Sequence, residues 1–523
     1  MSDKRIGSTK SIILVLSLVL LLAGAGTAWA DVRLPAVIGD NMVLQRGQKV
    51  PIWGWAQPGE EITVTVSWNN MRWSAPADKD GKWRFEVTPP SAGGPYEMTV
   101  SGKNSITIRN ILVGEVWVCS GQSNMQMSVR QSANAEQEIA AANYPNIRLF
   151  SVQRKVAEQP QSDCLGSWQQ CTPQTVADFS AVAYYFGRDL HKELGVPIGL
   201  IHTSWGGTPA EAWTSRQALE AEQDFAPILQ RYDDAVAKYP QAKKEYDQKL
   251  AAWQEAVEKA KAEGGRPPNR PGEPFGPGHP HAPAGLYNAM IAPLIPHGIA
   301  GAIWYQGESN AGRAYQYRKL LPAMINNWRK DWGRGDFAFL IVQLANFMAT
   351  KPEPGDSEWA ELREAQLLTL ALPNTGMGVI IDIGEANDIH PKNKQDVGKR
   401  LALWALAKTY GKNPVYSGPI YKSMKVDGNK VILEFNHVGG GLVAGGGGPL
   451  RGFAVAGTDR KLVWADAQID GNTVAVSSDK VAEPVAVRYA WADNPVCNLY
   501  DKEGLPASPF RTDDWPGVTV DRK

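Results

Sequence analysis

The chain has 523 residues, which is too long for one ordinary domain and predicts two to four domains. It contains 54 Lys and Arg residues and 54 Asp and Glu residues, so its formal net charge is zero. This balance gives no basic footprint for nucleic acid or for an anionic membrane, and it favours a neutral partner or a small substrate.

Residues 1–30 have the pattern of a secretory signal peptide. A basic segment precedes an apolar run at 11–25, and Ala28-Trp29-Ala30 supplies a small-x-small cleavage site. We expect cleavage near Ala30, export to the periplasm or the medium, and no stable membrane association. The alternative is an uncleaved anchor, but the apolar run is shorter than the roughly 20 residues that a membrane span needs.

Residues 31–109 predict a small β-domain. The segments 61–66 and 83–87 alternate between polar and apolar residues, and turn signals such as Asp80-Gly81 separate them. This spacing is typical of a β-sandwich.

Residues 110–412 predict an α/β domain, because apolar runs alternate with amphipathic helical segments. This pattern indicates a mostly parallel sheet with helices on both faces, and in such sheets the ligand crevice lies at the carboxyl ends of the strands. The predicted strands are 111–119, 197–202, 299–305, 337–344 and 378–383. The predicted helices are 124–142, 176–194, 317–332, 359–372 and 395–410.

Two further segments complete the predicted organisation. An insertion at about 216–284 contains a charged helix at 235–264 and then a segment rich in Pro and Gly, whose His279 and His281 are interpreted as solvated loop residues. From 413 to 523 the strand period returns and predicts a second β-domain.

The four cysteines and 19 tryptophans are less decisive. In an exported chain Cys164 and Cys171 are the favoured disulfide pair because they close a short loop, whereas Cys119 is expected to be a buried free thiol. Tryptophan stacks on the faces of sugar rings but also fills cores, and both interpretations stay open.

The most informative segment follows the strand at 111–119. Gly121 ends the apolar run, and Ser123 then stands at the start of a predicted helix, where backbone N–H groups suit an oxyanion. Taken alone, such a serine is more often a cap or a turn former.

Other predicted strands also end in polar or glycine-rich segments, and each of them alone has an explanation as a turn or cap. On one sheet together they predict a catalytic cleft. The segments are Ser204-Trp205-Gly206-Gly207-Thr208, Tyr305-Gln306-Gly307-Glu308-Ser309-Asn310 and Asn387-Asp388-Ile389-His390-Pro391.

In chain order, GQSNM at 121–125, WGGT at 205–208, WYQGESN at 304–310 and DIHP at 388–391 resemble the sialate O-acetylesterase-like branch of the SGNH hydrolases. The resemblance extends over essentially all of residues 31–523, including both β-domains. It implies an SGNH-type, flavodoxin-like hydrolase domain and a serine esterase that removes O-acetyl groups from carbohydrates. No metal or other cofactor is expected, since no zinc-ligand spacing is present in the sequence.

The resemblance also implies catalytic roles. Ser123 attacks the acetyl carbonyl and becomes acetylated, and His390 acts as general base and then as general acid. Asp388 orients the histidine. The usual aspartate stands three residues before the histidine, whereas Asn387 holds that position here, so a Ser-His dyad assisted by a backbone carbonyl remains a rival.

The implied oxyanion hole combines the backbone N–H of Ser123, a backbone N–H of Gly206 or Gly207, and a side-chain amide. The wider superfamily uses asparagine for this amide. Here Gln306 is favoured because it lies nearest the strand end, and Asn310 is the alternative.

Several alternatives stay open at this point. The substrate is acetylated xylan or xyloglucan fragments or O-acetylated sialic acid, whose carboxylate a local arginine such as Arg363 would bind. A tryptophan-rich sugar-binding protein on a degenerate hydrolase scaffold and an esterase for lipid or thioester acyl groups are the other hypotheses. Glu308 could be half of a glycosidase pair, but no partner is apparent. The oligomeric state is not indicated.

Overall fold

The computed structural model describes residues 31–523, so the signal peptide predicted for residues 1–30 lies outside it. The described chain forms two compact units. One consists of residues 31–34, 53–85 and 98–107, and the other of 35–52, 86–97 and 108–523. The C-terminal strands share a unit with the α/β sheet, and the domain bounds at 109 and 412 stay a prediction.

The first part of the chain is made of short strands, as predicted. In the smaller unit β3 pairs antiparallel with β4 and β6, and the alternating residues Ile62, Val64 and Val66 of β3 are fully buried. The strands are β1 (Val43–Gln45), β2 (Val50–Trp55), β3 (Glu61–Val66), β4 (Arg72–Pro76), β5 (Lys82–Val87) and β6 (Gly93–Ser101).

The larger unit is organised around the predicted parallel sheet. Its order is β13-β12-β11-β7-β10-β8-β9, and all pairs are parallel except β8 with β9. The strands are β7 (Ser105–Gly121), β8 (Tyr144–Ser151), β9 (Trp168–Cys171), β10 (Ile198–Ser204), β11 (Gly301–Tyr305), β12 (Ala338–Gln343) and β13 (Thr375–Val379).

The helices follow the predictions in most places. They are α1 (Ser123–Gln126), α2 (Ala135–Ala140), α3 (Pro173–Val176), α4 (Ala181–Leu194), α5 (Arg216–Glu220), α6 (Ala226–Ala262), α7 (Ala314–Trp332), α8 (Glu358–Leu368) and α9 (Lys394–Lys408). The ends have a local cause, as in α4, where the Ser180 hydroxyl accepts from the Ala183 N–H and Gly195 adopts a φ of 66°.

Helices cover both faces of the sheet. Trp117 of β7 packs edge-on against Phe186 of α4, with ring centroids 5.0 Å apart. Trp304 of β11 pairs with Ser120, which lies on the opposite face from Trp117, and its ring contacts Trp328 of α7 at 5.9 Å. Because neighbouring residues of a strand point to opposite faces, α4 and α7 lie on different sides of the sheet.

The predicted helix at 124–142 is wrong as a continuous element. Helix α1 ends at Gln126, and α2 begins only at Ala135. Between them the Val129 N–H donates to Phe179 O and the Arg130 N–H donates to Ala177 O, both at 3.0 Å. These contacts with a distant segment replace the helical hydrogen bonds, which a helical pattern in the sequence does not reveal.

Strand β8 is absent from the predicted strands because Pro145 and Asn146 interrupt its apolar pattern. The predicted strand at 378–383 is shifted, since β13 begins at Thr375. All four cysteines are free, so the predicted Cys164–Cys171 disulfide is not formed, and Cys119 is the buried thiol that was expected.

The C-terminal strands form the predicted β-structure. The sheets β14-β15-β20-β19 and β18-β17-β21-β23 are antiparallel and share one buried cluster that includes Val431, Val474, Val455 and Val487. The strands are β14 (Ile420–Asp427), β15 (Lys430–Asn436), β16 (Leu442–Ala444), β17 (Phe453–Ala456), β18 (Val463–Trp464), β19 (Asp466–Asp470), β20 (Thr473–Ser477), β21 (Ala486–Tyr489), β22 (Leu499–Asp501) and β23 (Phe510–Arg511).

The predicted insertion contains α6, which starts earlier than expected at Ala226 and is followed by an irregular segment up to 284. Within residues 31–523, no helix combines the length and the apolar character needed to cross a membrane.

Arg363 of α8 is a structural residue of the larger unit. Its side chain is fully buried, and burial lowers its pKa to about 9. The guanidinium donates to the carbonyls of Leu344, Ala345, Ala492 and Asp493 at 2.7–2.8 Å. The expectation that Arg363 could bind an acidic sugar is therefore wrong, because backbone carbonyls occupy its donors.

Substitution of Gly121 tests how closely β7 approaches β11. Gly121 has a φ of 141°, and a Cβ there would lie 2.1 Å from Tyr305 O. We expect Gly121→Ala to lower the free energy of unfolding by about 3 kcal/mol or more. The matched Gly195→Ala has a φ of 66° but open space around the Cβ, and we expect a loss of about 1 kcal/mol. Urea unfolding followed by tryptophan fluorescence measures both, and equal losses would contradict the steric argument.

A second substitution tests whether Arg363 has a structural role. Arg363→Leu leaves the buried carbonyls of Leu344 and Ala345 and the partly buried carbonyls of Ala492 and Asp493 without this donor, so we expect a loss of about 3 kcal/mol or more in unfolding free energy. Arg154→Leu, at an exposed arginine, should cost less than about 1 kcal/mol. An Arg363→Leu protein of unchanged stability would show that the arginine does not hold these segments together.

Candidate active site

The predicted site residues meet where the strand order of the sheet changes direction. From the central strand β7 the chain builds β8, β9 and β10 on one side, and it then returns to build β11, β12 and β13 on the other. Such a switch point opens a crevice at the carboxyl ends of the central strands. Ser123 follows β7, and the segments that begin at Trp205 and Gln306 follow the neighbours β10 and β11.

Ser123 is the first residue of α1 and is partly exposed. The preceding residue fixes the turn, because the Gln122 N–H donates to Tyr305 O at 3.0 Å. The Gln122 side-chain oxygen also accepts the backbone N–H groups of Gly307 and Ser309 at 3.4 and 3.3 Å. The serine turn is thus held by the segment that follows β11.

The glycine pair after β10 lies against the serine. A Cβ on Gly206 would be 3.3 Å from the Ser123 Cβ, so only glycine allows this approach without a shift. The Gly206 N–H donates to the Gln126 side-chain oxygen at 2.7 Å. Gly207 has a φ of 74° and open space where a Cβ would stand. Of the two predicted backbone donors, Gly206 is therefore already hydrogen-bonded.

His281 of the insertion contacts the backbone of Gly207. Burial lowers the pKa of His281, and the hydrogen bond with Gly207 opposes this shift. The ring of His279 lies edge-on to that of His281, with centroids 4.7 Å apart. Both histidines are partly buried, so their interpretation as solvated loop residues is wrong, and His281 adjoins the predicted site.

Gln306 and Asn310 lie in a buried network with no exposed surface of consequence. The Gln306 amide nitrogen donates to Asn310 Oδ1 at 2.7 Å and to Thr208 O at 3.2 Å, and its oxygen accepts from the Tyr317 hydroxyl. The Asn310 amide nitrogen donates to Glu211 at 2.9 Å. Both hydrogens of the Gln306 amide are used, so an oxyanion role for Gln306 would require one of these bonds to break.

His390 and Asp388 are adjacent but loosely coupled. Both side chains are nearly half exposed, and His390 Nδ1 lies 3.5 Å from Asp388 Oδ1, beyond ordinary hydrogen-bond length. The same carboxylate oxygen accepts the backbone N–H of His390 at 2.9 Å. Asp388 therefore stabilises the turn before the histidine more directly than it orients the imidazole.

One side chain ties the serine segment to the histidine segment. Asn124, next to Ser123, donates from Nδ2 to the carbonyl of Ile389, next to His390, at 3.0 Å. The two segments are 265 residues apart in the chain, and this hydrogen bond brings their backbones together. Asn124 is 1% exposed, so water does not compete for the bond.

The same asparagine joins the partly buried Glu308 to the fully buried Lys394, and sequence reasoning missed the lysine. Asn124 Nδ2 donates to Glu308 Oε1 at 2.6 Å, and Lys394 Nζ donates to Asn124 Oδ1 at 2.6 Å. Lys394 is 0% exposed at the start of α9. A lysine at that position in a sequence is expected to face water, and nothing in the local pattern indicates that it is buried.

Burial perturbs both charged groups. It lowers the pKa of Lys394 to about 7, although the nearby carboxylates of Glu308, Asp388 and Glu385 act in the opposite direction. Burial raises the pKa of Glu308, and Asn124, Lys394 and His390 oppose this rise. Perturbed groups of this kind cluster at functional sites.

An exposed arginine also lies near the serine. The Arg154 guanidinium stands over the Trp205 ring at 5.7 Å, and Nη1 is 3.5 Å from the Gln126 side-chain oxygen. Since Gln126 belongs to the helix that Ser123 begins, Arg154 is a cation beside the site that the sequence did not single out.

The arrangement provides the parts that acyl transfer needs: a partly exposed serine at a helix start, an imidazole on a neighbouring segment, and backbone N–H groups beside the serine. Ser123 and the glycine pair lie directly after strands of the mostly parallel sheet, and the His390 segment adjoins the serine segment through Asn124.

Comparison with known proteins gives a consistent result. The family model for carbohydrate esterase, sialic acid-specific acetylesterase, matches residues 113–258 and 279–406. The human sialate O-acetylesterase is 32% identical over 97% of this chain and 98% of its own length, and the mouse protein is 31% identical over 95% and 96%. The crystal structure of a carbohydrate acetylesterase from Xanthomonas citri superposes with a TM-score of 0.79, at 40% identity over 93% of this chain and 100% of that one.

The family match includes the strands that end at the candidate site and the helices that cover them, and the relatives match nearly the full length. The chain is a carboxylic ester hydrolase that belongs to the sialic acid-specific acetylesterase family of carbohydrate esterases.

Proposed function

We propose that this protein is a serine esterase that removes O-acetyl groups from carbohydrates through an acetyl-enzyme. The observation that carries the proposal is the Asn124–Ile389 hydrogen bond, because it joins the residue after Ser123 to the residue before His390 at the crevice of the sheet. A nucleophile and a base on adjoining segments are the minimum that this chemistry requires.

The reaction proceeds in two halves. Ser123 Oγ attacks the acetyl carbonyl carbon while His390 takes the hydroxyl proton. The tetrahedral intermediate collapses, the C–O bond to the sugar breaks, and the imidazolium returns the proton to the leaving sugar oxygen. Water then attacks the acetyl-enzyme with His390 as base, and acetate leaves as Ser123 recovers its proton.

The oxyanion of each intermediate is assigned to backbone N–H groups. Ser123 begins α1, and Gly207 stands beside open space in the adjoining loop. Gly206, Gln306 and Asn310 are assigned to the framework, because the Gly206 N–H and both Gln306 amide hydrogens already have acceptors and the Asn310 amide nitrogen donates to Glu211. Each oxyanion donor contributes roughly 3 kcal/mol to lowering the barrier.

The substrates that fit this proposal are O-acetylated sialic acid and acetylated xylan or xyloglucan fragments. The names of the relatives point to sialate and to carbohydrate in general. Arg154, the exposed cation beside Trp205, would meet a sialate carboxylate, whereas a neutral sugar would stack on the tryptophan ring without it. An export signal at residues 1–30 would bring the enzyme to such substrates outside the cytoplasm.

Acetate release tests the proposal. We expect the purified protein to release acetate from at least one of O-acetylated sialic acid, acetylated xylan and acetylated xyloglucan oligosaccharides. Ser123→Ala and His390→Ala should each lose about 10³-fold or more in kcat/KM, because each removes a reacting group. Ser128→Ala, in the same segment, serves as the matched control and should keep full activity. Acetate release that survives in Ser123→Ala would overturn the serine mechanism.

Asp388→Asn separates a triad from a dyad. An asparagine oxygen still accepts the His390 backbone N–H, and the imidazole lies 3.5 Å from the carboxylate, so we expect less than about a tenfold loss in kcat/KM. A carboxylate that completed a triad would cost about 10⁴-fold on conversion to the amide. Steady-state kinetics on the best substrate distinguishes these outcomes.

A further inference from the structure

We infer that Glu308 and Lys394, joined through Asn124, are positioning residues that set the charge environment of His390 during turnover. This inference rests on the proposed Ser123–His390 mechanism and adds to it a pair of charged residues, of which Lys394 and the Oε2 atom of Glu308 are buried. The three side chains are called the Asn124 network below.

The Asn124 network is held together by hydrogen bonds at both ends of the Asn124 amide. Asn124 uses both ends of its amide: Nδ2 donates to Glu308 Oε1 and to Ile389 O, while Oδ1 accepts from Lys394 Nζ. The Lys394 ammonium also stands 5.3 Å from the centre of the Tyr305 ring. Both ends of the Asn124 amide are hydrogen-bonded. A shift of either charged residue therefore moves the turn that carries Ser123.

Glu308 has an unused atom. Oε1 is bound by Asn124, whereas Oε2 is buried and has no hydrogen-bond partner among the described residues. An unpartnered carboxylate oxygen away from water is costly unless a charge offsets it. His390 and Lys394 are close enough to favour the ionised form of Glu308. The imidazolium that forms when His390 takes the serine proton offers the missing positive charge.

Other charged and polar groups surround both Glu308 and Lys394. Lys394 is faced by Glu308, Asp388 and Glu385. Glu308 is faced by Lys394 and His390, and the hydroxyl groups of two buried tyrosines, Tyr305 and Tyr317, lie near enough to interact with it. Glu308 therefore favours a positive His390, and the Lys394 ammonium offsets part of the negative charge of Glu308. The balance of the two charges sets how readily His390 accepts and returns the proton.

This arrangement also accounts for the weak contact of Asp388 with the imidazole. In a triad the carboxylate beside the histidine stabilises the imidazolium. Here the adjacent Asp388 is nearly half exposed, and its Oδ1 lies 3.5 Å from the imidazole, beyond ordinary hydrogen-bond length. A buried carboxylate acts over a longer distance because the local dielectric constant is lower.

The test is the pH dependence of kcat/KM in charge-neutral variants that keep the hydrogen bonds. Glu308→Gln retains an oxygen for Asn124, and Lys394→Gln retains an N–H donor for it. On the acidic limb of this profile, kcat/KM falls because the catalytic base becomes protonated. Removing the negative charge weakens the imidazolium, so we expect Glu308→Gln to move that limb about 0.5–1 pH unit lower and to reduce kcat/KM about tenfold or more.

Lys394→Gln should move the limb in the opposite direction by a similar amount. Because the pKa of Lys394 is about 7, its charge is present below that pH and is lost above it. The double variant should return the limb close to its original position. Lys392→Gln and Glu353→Gln, at exposed positions, are matched controls and should leave the profile unchanged.

The outcomes separate this inference from the proposed function. Opposite shifts support the Asn124 network as a device that tunes His390. If the acidic limb of the kcat/KM profile is unchanged in both variants while activity still depends on Ser123, the inference is overturned and the esterase proposal stands. Acetate release independent of Ser123 and His390 would overturn the proposed function itself. Thermal unfolding monitors folding, and if one single variant does not fold, the direction of the other decides.

Discussion

The side chain of Asn124 makes the contacts on which the candidate site depends. It is a single amide that reaches the carbonyl before His390, the carboxylate of Glu308 and the ammonium of Lys394. A flexible or exposed side chain could not hold three distant segments in register, but this one is almost fully buried. Because Asn124 is next to Ser123, the contacts that pack these segments together also fix the position of the nucleophile.

The side-chain amides around the Asn124 contacts are hydrogen-bonded to neighbouring segments. Gln122 fixes the serine turn to the segment after β11, and the Gln306–Asn310 pair fixes that segment to the loop after β10. In the proposed mechanism these amides are framework groups, whereas the family pattern suggests them as oxyanion donors. The proposed mechanism therefore assigns the oxyanion to backbone N–H groups, whose direction is set by the fold and needs no side-chain ordering.

Much of this could be predicted from the sequence. The parallel sheet, the helices on both faces and the order of the site segments follow from hydrophobic period and strand-end chemistry, because these are local signals. Ser123 directly follows β7 and His390 lies in a polar segment between β13 and α9, so both could be singled out. Lys394 could not, because its burial results from contacts with Asn124 and Tyr305, which are far away in sequence. The break after Gln126 and the role of Arg363 escaped prediction for the same reason: distant backbone groups decide them.

The central claim is a covalent acetyl-enzyme on Ser123, and rapid acid quench during turnover of an acetylated sugar tests it directly. Peptide mass spectrometry of the quenched protein should find one acetyl group on the peptide that contains Ser123, and none in Ser123→Ala. Acetylation of a different residue, or acetate release at a normal rate with no adduct under conditions in which hydrolysis of the adduct is slowed, would contradict the account.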